Sequence, residues 1–175
     1  MPTSSPDGKG WIAWSVIGLR PGTLLDVGPG VGTYADLLRP SLPCSRWSCV
    51  EVHEPYVHDF GLLEKYDVVH VVDIRAFAWP ARYDVVILGD VLEHLPFDDA
   101  VATWTAARAH AGHVVLSLPI VEHPQGPQLG NVHEAHLHTW SHDAVLATLP
   151  GIHRWRCYPR IGVYLADGDA ASAGQ

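Results

Sequence analysis

Residues 24–34 read LLDVGPGVGTY, which is an apolar run, a glycine-rich turn and the start of a helix. Glycines in such a turn let the backbone approach a ligand closely, and a helix N-terminus favours an anion. The glycines fall at 28, 30 and 32, whereas the dinucleotide fingerprint G-x-G-x-x-G places its third glycine one residue later. Asp26 stands where an NAD-binding fold keeps an apolar residue, and its carboxylate would repel a pyrophosphate but suit an ammonium group. The chain also lacks G-x-x-x-x-G-K-[ST], so a P-loop is excluded.

Outward from this turn, short apolar runs alternate with helical segments. The predicted strands are 23–27, 47–52, 68–72, 83–88 and 113–118, and the predicted helices are 9–20, 33–38, 56–65 and 97–110. The runs are rich in Val and Ile without polar alternation, which is typical of strands buried on both faces. Such an alternation predicts right-handed crossovers and a parallel sheet. A helix over 141–149 and a hairpin of 152–158 with 161–166 follow, and one strand of the hairpin would be antiparallel. The expected fold is therefore α/β and doubly wound, with a mostly parallel seven-stranded sheet, a C-terminal antiparallel strand and helices on both faces.

Composition narrows the class of protein. The 175 residues carry 11 Lys and Arg against 19 Asp and Glu, a net charge of −8, so general binding to nucleic acid is not expected. Cys44, Cys49 and Cys157 form no C-x-x-C pair, which favours a reducing, cytoplasmic setting over a disulfide framework. The start has no signal-peptide pattern, and no apolar run approaches the roughly 18 residues of a membrane span. We expect one domain over 1–175, with flexible ends at 1–8 and 168–175.

Four motifs in this order resemble the class I, seven-strand S-adenosylmethionine-dependent methyltransferases that act on small molecules. The resemblance covers about residues 20–166 and rests on 26–32, on CVEVH at 49–53, on VVDIR at 71–75 and on YDVVILGDVLEHL at 83–95. It implies S-adenosylmethionine as the methyl donor and S-adenosylhomocysteine as the product. It implies a donor site made of Asp26, Gly28, Pro29, Gly30, Gly32, Tyr34, Glu51, Val52, Asp73, Ile74 and Asp90.

Within that site the resemblance implies a role for each acidic residue. Asp26 and the glycines would hold the methionine end of the donor, and Asp90 would bind its amino group or orient the acceptor. Glu51 would clasp the ribose, since one carboxylate can accept two charge-assisted hydrogen bonds from hydroxyls. Asp73 would meet the adenine amino group, although aspartate is also common in turns that follow strands.

Residues 119–140 show neither helical nor strand periodicity, and a loop of this length is usually functional or disordered. Five histidines crowd this region, at positions 123, 133, 136, 138 and 142. Histidines and carboxylates can bind zinc, but H-E-x-x-H and a cysteine partner are both missing, so no metal site is predicted. We expect instead a lid that supplies acceptor contacts, with an ordinary surface loop as the alternative.

The predicted reaction is methyl transfer to an oxygen or nitrogen of a small-molecule acceptor. A neutral histidine suits removal of the acceptor's proton, and His94, just past the fourth strand, is the leading catalytic candidate, followed by His136. The chain has no insertion large enough for a separate acceptor domain, so a homodimer is a second possible source of contacts. The alternatives are a non-catalytic or partner-dependent donor-binding subunit, an aminopropyl transferase and a nicotinamide enzyme.

Overall fold

Seven strands form one sheet in the order β3-β2-β1-β4-β5-β7-β6 in the computed structural model, which describes residues 5–169. The strands are β1 Thr23–Val27, β2 Arg46–Glu51, β3 Val68–Val71, β4 Tyr83–Gly89, β5 Ala111–Pro119, β6 Ile152–Cys157 and β7 Ile161–Asp167. The pairs among β1 to β5 are parallel, and β7 pairs antiparallel with both β5 and β6. The predicted fold class, including the closing hairpin, is therefore confirmed. The flexible ends predicted at 1–8 and 168–175 fall largely outside the described residues.

Six α-helices accompany the sheet within residues 5–169. They are α1 Lys9–Leu19, α2 Thr33–Leu38, α3 Glu54–Asp59, α4 Leu62–Lys65, α5 Phe97–Ala109 and α6 His142–Thr148. The prediction of one helix over 56–65 is wrong, because the chain turns at Phe60 and Gly61, where Gly61 has a φ of 61°. Within residues 5–169, no helix is long and apolar enough to cross a membrane.

Consecutive residues of the central strands enter two separate cores. Leu25 and Leu88 pack with Trp104 of α5 on one face, whereas Leu24 and Ile87 belong to a cluster with α1 and α2 on the other. All five of these side chains are fully buried. Burial on both faces explains why the strands read as continuous apolar runs. It also leaves the carboxyl ends of the strands as the place where polar groups gather.

Candidate functional site

The carboxyl ends of the parallel strands open into a cavity of about 290 Å³. It lies where β1 separates β2 from β4, the point at which the strand order reverses and at which open α/β sheets bind ligands. The predicted donor residues on its lining are Gly28, Pro29, Gly30, Tyr34, Glu51, Val52, Asp73, Ile74 and Asp90. The same lining includes both catalytic candidates, His94 and His136.

The glycine-rich turn bends sharply away from β1. Gly28, Gly30 and Gly32 have φ values of 61°, 53° and 82°, a backbone conformation that residues other than glycine rarely adopt. The Gly28 N–H donates to the Val50 carbonyl at 2.9 Å, which ties the turn to β2. Gly32 does not line the cavity. A Cβ atom at this position would collide with the Lys65 side chain. The turn therefore presents its first two glycines to the cavity.

Asp26 lies behind this turn and does not line the cavity. It is buried, and its Oδ2 accepts a hydrogen bond from the Tyr66 hydroxyl at 2.6 Å. Its Oδ1 has no hydrogen-bond partner among residues 5–169. Burial raises the pKa of Asp26 to about 7, against the opposing effects of the Tyr66 hydrogen bond and the Lys9 charge.

Glu51 ends β2 as a buried carboxylate facing the cavity. Its Oε1 accepts a hydrogen bond from the His53 N–H at 2.8 Å. Burial raises the pKa of Glu51 to about 7, although the His53 hydrogen bond favours the charged form. A carboxylate in this position can accept further hydrogen bonds from a ligand, as the sequence analysis expects.

Asp73 is bound to its neighbour Arg75. The Arg75 Nε donates to Asp73 Oδ1 at 2.9 Å, and Nη2 donates to Oδ2 at 2.5 Å. The Arg75 side chain and N–H together hold the pKa of Asp73 below its usual range. Asp73 is therefore ionised at neutral pH, but a ligand must share its oxygens with Arg75.

Asp90 lines the cavity and belongs to a hydrogen-bonded network that extends to Lys9. The Lys9 ammonium donates to the Tyr34 hydroxyl at 2.7 Å, and that hydroxyl lies 3.0 Å from Ser117 Oγ. Ser117 in turn donates to Asp90 Oδ1 at 3.3 Å, and Lys9 Nζ lies 3.8 Å from Asp90 Oδ2. Gly89 is required here because any side chain would collide with the Tyr34 ring. The sequence analysis missed Lys9 and Ser117, since nothing in the linear pattern shows that α1 and β5 meet at Asp90.

Residues 119–140 lie against the mouth of the cavity, on the sheet edge where the lid is predicted. The backbone N–H groups of Leu137 and His138 donate to the Glu93 carbonyl at 2.8 and 3.2 Å. The segment has little regular structure beyond a short 3-10 helix, Val132–Glu134. Its position therefore depends on bonds to the loop that follows β4.

The rings of His94 and His136 make an edge-to-face contact in the wall of the cavity, with centroids 4.8 Å apart. His94 Nδ1 lies 3.2 Å from the Ala135 carbonyl, and His136 Nδ1 lies 2.6 Å from the His123 carbonyl. Because a carbonyl only accepts, Nδ1 carries the proton in each neutral ring. Burial lowers the pKa of His94 to about 4 and also lowers that of His136, so both rings are neutral at pH 7.

Glu93 also belongs to this site, although no role was predicted for it from the sequence. It lines the cavity, its side chain is buried, and neither carboxylate oxygen has a hydrogen-bond partner from another residue of the described chain. Burial and the nearby charge of Asp90 raise its pKa well above the usual range. One ligand atom from each of Glu93, His94 and His136 can be chosen so that all three lie within 4.8 Å of one another. The sequence feature that could have indicated Glu93 is its position next to His94, shortly after the end of β4.

Comparisons with known proteins agree on the fold. The sequence model of a family described as "Methyltransferase domain" matches residues 15–156. The DhpI-SAH complex superimposes with a TM-score of 0.72 at 16% identity, covering 93% of this chain and 85% of that one. The N-terminal domain of EvdMO1 with SAH bound gives 0.70 at 13% identity, covering 94% and 82%. Human N-acetylserotonin methyltransferase in complex with SAM gives 0.69 at 14%, covering 94% and 52%. A search of curated protein sequences finds no match.

Proposed function

The chain belongs to the methyltransferase domain family, and from that premise we propose that it transfers the methyl group of S-adenosylmethionine to an oxygen or nitrogen of a small-molecule acceptor. The observation that carries the proposal is the cavity at the strand ends, where a glycine turn, Glu51 and Asp90 face a common space. DhpI and the EvdMO1 domain, which share this fold, were crystallised with SAH. A reducing, cytoplasmic setting fits the three free thiols, Cys44, Cys49 and Cys157.

The acidic lining suits a cationic donor. The donor carries a positive sulfonium and an ammonium group, and Asp90 offers a carboxylate at the end of β4. Glu51 accepts the ribose hydroxyls beside the bond that it already receives from His53. Asp73 and Ile74 mark the adenine end, with Asp73 sharing its oxygens with Arg75. Asp26 acts indirectly, because it fixes the end of β1 through Tyr66 and does not line the cavity.

The acceptor occupies the part of the cavity that is lined by the loop after β4 and by residues 119–140. Methyl transfer is an in-line displacement in which a lone pair of the acceptor attacks the methyl carbon. The carbon–sulfur bond breaks, its electron pair stays on sulfur, and S-adenosylhomocysteine leaves. The protein must therefore hold the acceptor at attack distance and let its proton depart. His94 and His136 are neutral imidazoles on the cavity wall, and we assign them to the acceptor side.

The first test separates donor binding from turnover. Calorimetry of the purified chain should show binding of S-adenosylmethionine and S-adenosylhomocysteine without added metal, and no binding of NAD. Formation of S-adenosylhomocysteine should then be followed with a panel of phenols, alcohols and amines. Binding of NAD but of neither adenosyl compound would overturn the donor assignment. Donor binding without turnover on any acceptor would favour a donor-binding subunit over an enzyme.

A further inference from the structure

We propose that Glu93, His94 and His136 form a binding site for one divalent transition-metal cation, with zinc the best match, at the acceptor end of the cavity. The existence of the site is independent of the proposed function, and only the role of the cation rests on it. The sequence analysis predicted no metal, because the three residues come together only when residues 119–140 fold against the end of β4. The inference starts from the distances among the three side chains.

The ligand atoms are close enough for one ion. They lie within 4.8 Å of one another. Zinc bonds of about 2.0–2.2 Å in a tetrahedral arrangement place ligand atoms roughly 3.3–3.6 Å apart. Small rotations of the side chains therefore suffice to close the site. Three protein ligands leave one position open, as in catalytic zinc sites built from two histidines and a glutamate.

Glu93 supplies the second, independent observation. A carboxylate this deeply buried is expected to have partners, yet both of its oxygens lack one from another residue of the described chain. A bound cation would satisfy both oxygens.

The two imidazoles make the hydrogen bonds that metal-binding histidines usually make. Each donates from Nδ1 to a backbone carbonyl, that of Ala135 for His94 and that of His123 for His136. Such hydrogen bonds fix the tautomer that leaves a lone pair on Nε2, and metal-binding histidines almost always make them.

The ligand set selects the class of cation. Magnesium and calcium prefer oxygen ligands, whereas two imidazoles and one carboxylate suit zinc, cobalt or iron. On the proposed function, the cation would bind a hydroxyl oxygen of the acceptor at its open position. The hydroxyl proton then passes to solvent, and the oxygen attacks the methyl carbon as its carbon–sulfur bond breaks. The inference thus favours an oxygen acceptor over a nitrogen acceptor.

The test is direct metal binding by the full chain after chelator treatment and dialysis. Zinc should bind with one-to-one stoichiometry in calorimetry, and cobalt should give visible absorption bands typical of four- or five-coordinate geometry. Glu93→Gln and His136→Ala should each weaken zinc binding at least about 10-fold, since loss of even an outer-shell partner commonly costs that much. His138→Ala is the matched control, because this histidine lies in the same segment but packs on Phe97 and Trp140, and it should leave affinity unchanged.

A cooperative thermal unfolding transition like that of the wild type, followed by circular dichroism, shows that the fold of each variant is intact. If neither zinc nor cobalt binds at one ion per chain, the proposed site is wrong. Zinc affinity that both variants leave unchanged would place the ion on other histidines and would also overturn it. Metal binding with the expected variant pattern but no binding of either adenosyl compound would instead support the site and contradict the proposed function.

Discussion

Glu51 shows how a buried charge can be reserved for a ligand. The fold supplies it with a hydrogen bond from His53 but leaves its pKa raised to about 7 by burial. Two ribose hydroxyls would add charge-assisted hydrogen bonds, which favour the ionised form. Donor affinity and the charge of Glu51 should therefore depend on each other.

Replacing Glu51 should weaken donor binding. Charge-assisted hydrogen bonds are each worth roughly 1.5–3 kcal/mol, so Glu51→Ala should lower the affinity for S-adenosylhomocysteine by about 10-fold or more. The wild type should bind more tightly as pH rises from 6 to 8, because Glu51 ionises over that range. Glu51→Gln should show a flatter pH dependence in the same calorimetric titration. Unchanged affinity in a folded Glu51→Ala protein would place the ribose contact elsewhere.

Glu51 and Glu93 differ in how well the sequence could predict them. Glu51 ends an apolar run, and a residue at the carboxyl end of a parallel strand faces the ligand edge wherever the strand lies in the sheet. The surroundings of Glu93 depend on contacts from residues 119–140, which have no periodicity to reveal their path. Sequence patterns predict where a residue lies within its own strand or helix. They do not predict contacts between segments that are distant in the sequence.

The segment 119–140 contributes to the cavity lining with little regular structure of its own. His94 and His136 touch across the cavity only because the chain returns over the end of β4. The segment was predicted to lie on this edge because β5 ends there, and the structure places it there. Its internal path was not predictable, since backbone hydrogen bonds to Glu93 hold it rather than a helix or strand of its own.

His136→Ala should separate acceptor chemistry from donor binding. The ring of His136 contacts that of His94 and belongs to the segment 119–140. We therefore expect turnover to fall by at least about 10-fold, whether His136 binds the proposed cation or takes the acceptor's proton, while donor affinity changes little. Steady-state kinetics and calorimetry on the same preparation give the comparison, with His138→Ala beside it. An equal loss of donor affinity would show that His136 belongs to the donor site.

The stability of the whole molecule should carry the signature of its buried carboxylates. Asp26 has a pKa of about 7 when folded and an ordinary value near 3.8 when unfolded. Between these values the native state holds a proton that the unfolded state has lost, so the contribution of Asp26 to stability falls as pH rises from about 4 to 7. Above about pH 8 both states are ionised and the contribution becomes constant.

Asp26→Asn removes this contribution while keeping the size of the side chain. Relative to wild type, the variant should gain stability as pH rises from 5 to 8, measured as the difference in free energy of unfolding in urea. Comparing the two proteins cancels the opposite effect of His94, whose lowered pKa makes stability fall on acidification below about pH 6.5. Asp98→Asn, at the exposed start of α5, is the control. A pH-independent difference between Asp26→Asn and wild type would contradict the raised pKa.

The architecture as a whole was predictable because burial on both faces gives parallel strands an unmistakable composition. Right-handed crossovers restrict how such strands can be connected, but the order of the strands in the sheet was not predicted from the sequence. The break between α3 and α4 was not predicted, because Phe60 and Gly61 lie within an otherwise helical pattern and one glycine does not require a break.

Both ends of the segment 119–140 are held by the fold rather than by the site. Pro119 is the last paired residue of β5, opposite Ile161, and Trp140 is buried in the core just before Ser141 caps α6. We therefore expect that residues between these two anchors can be exchanged with little effect on the strands or the glycine turn. Under our functional proposal, natural variation in this one stretch would change which compound is methylated while the donor half is inherited intact. The same two anchors are where a segment from another enzyme should be grafted to redirect the chain to a new acceptor.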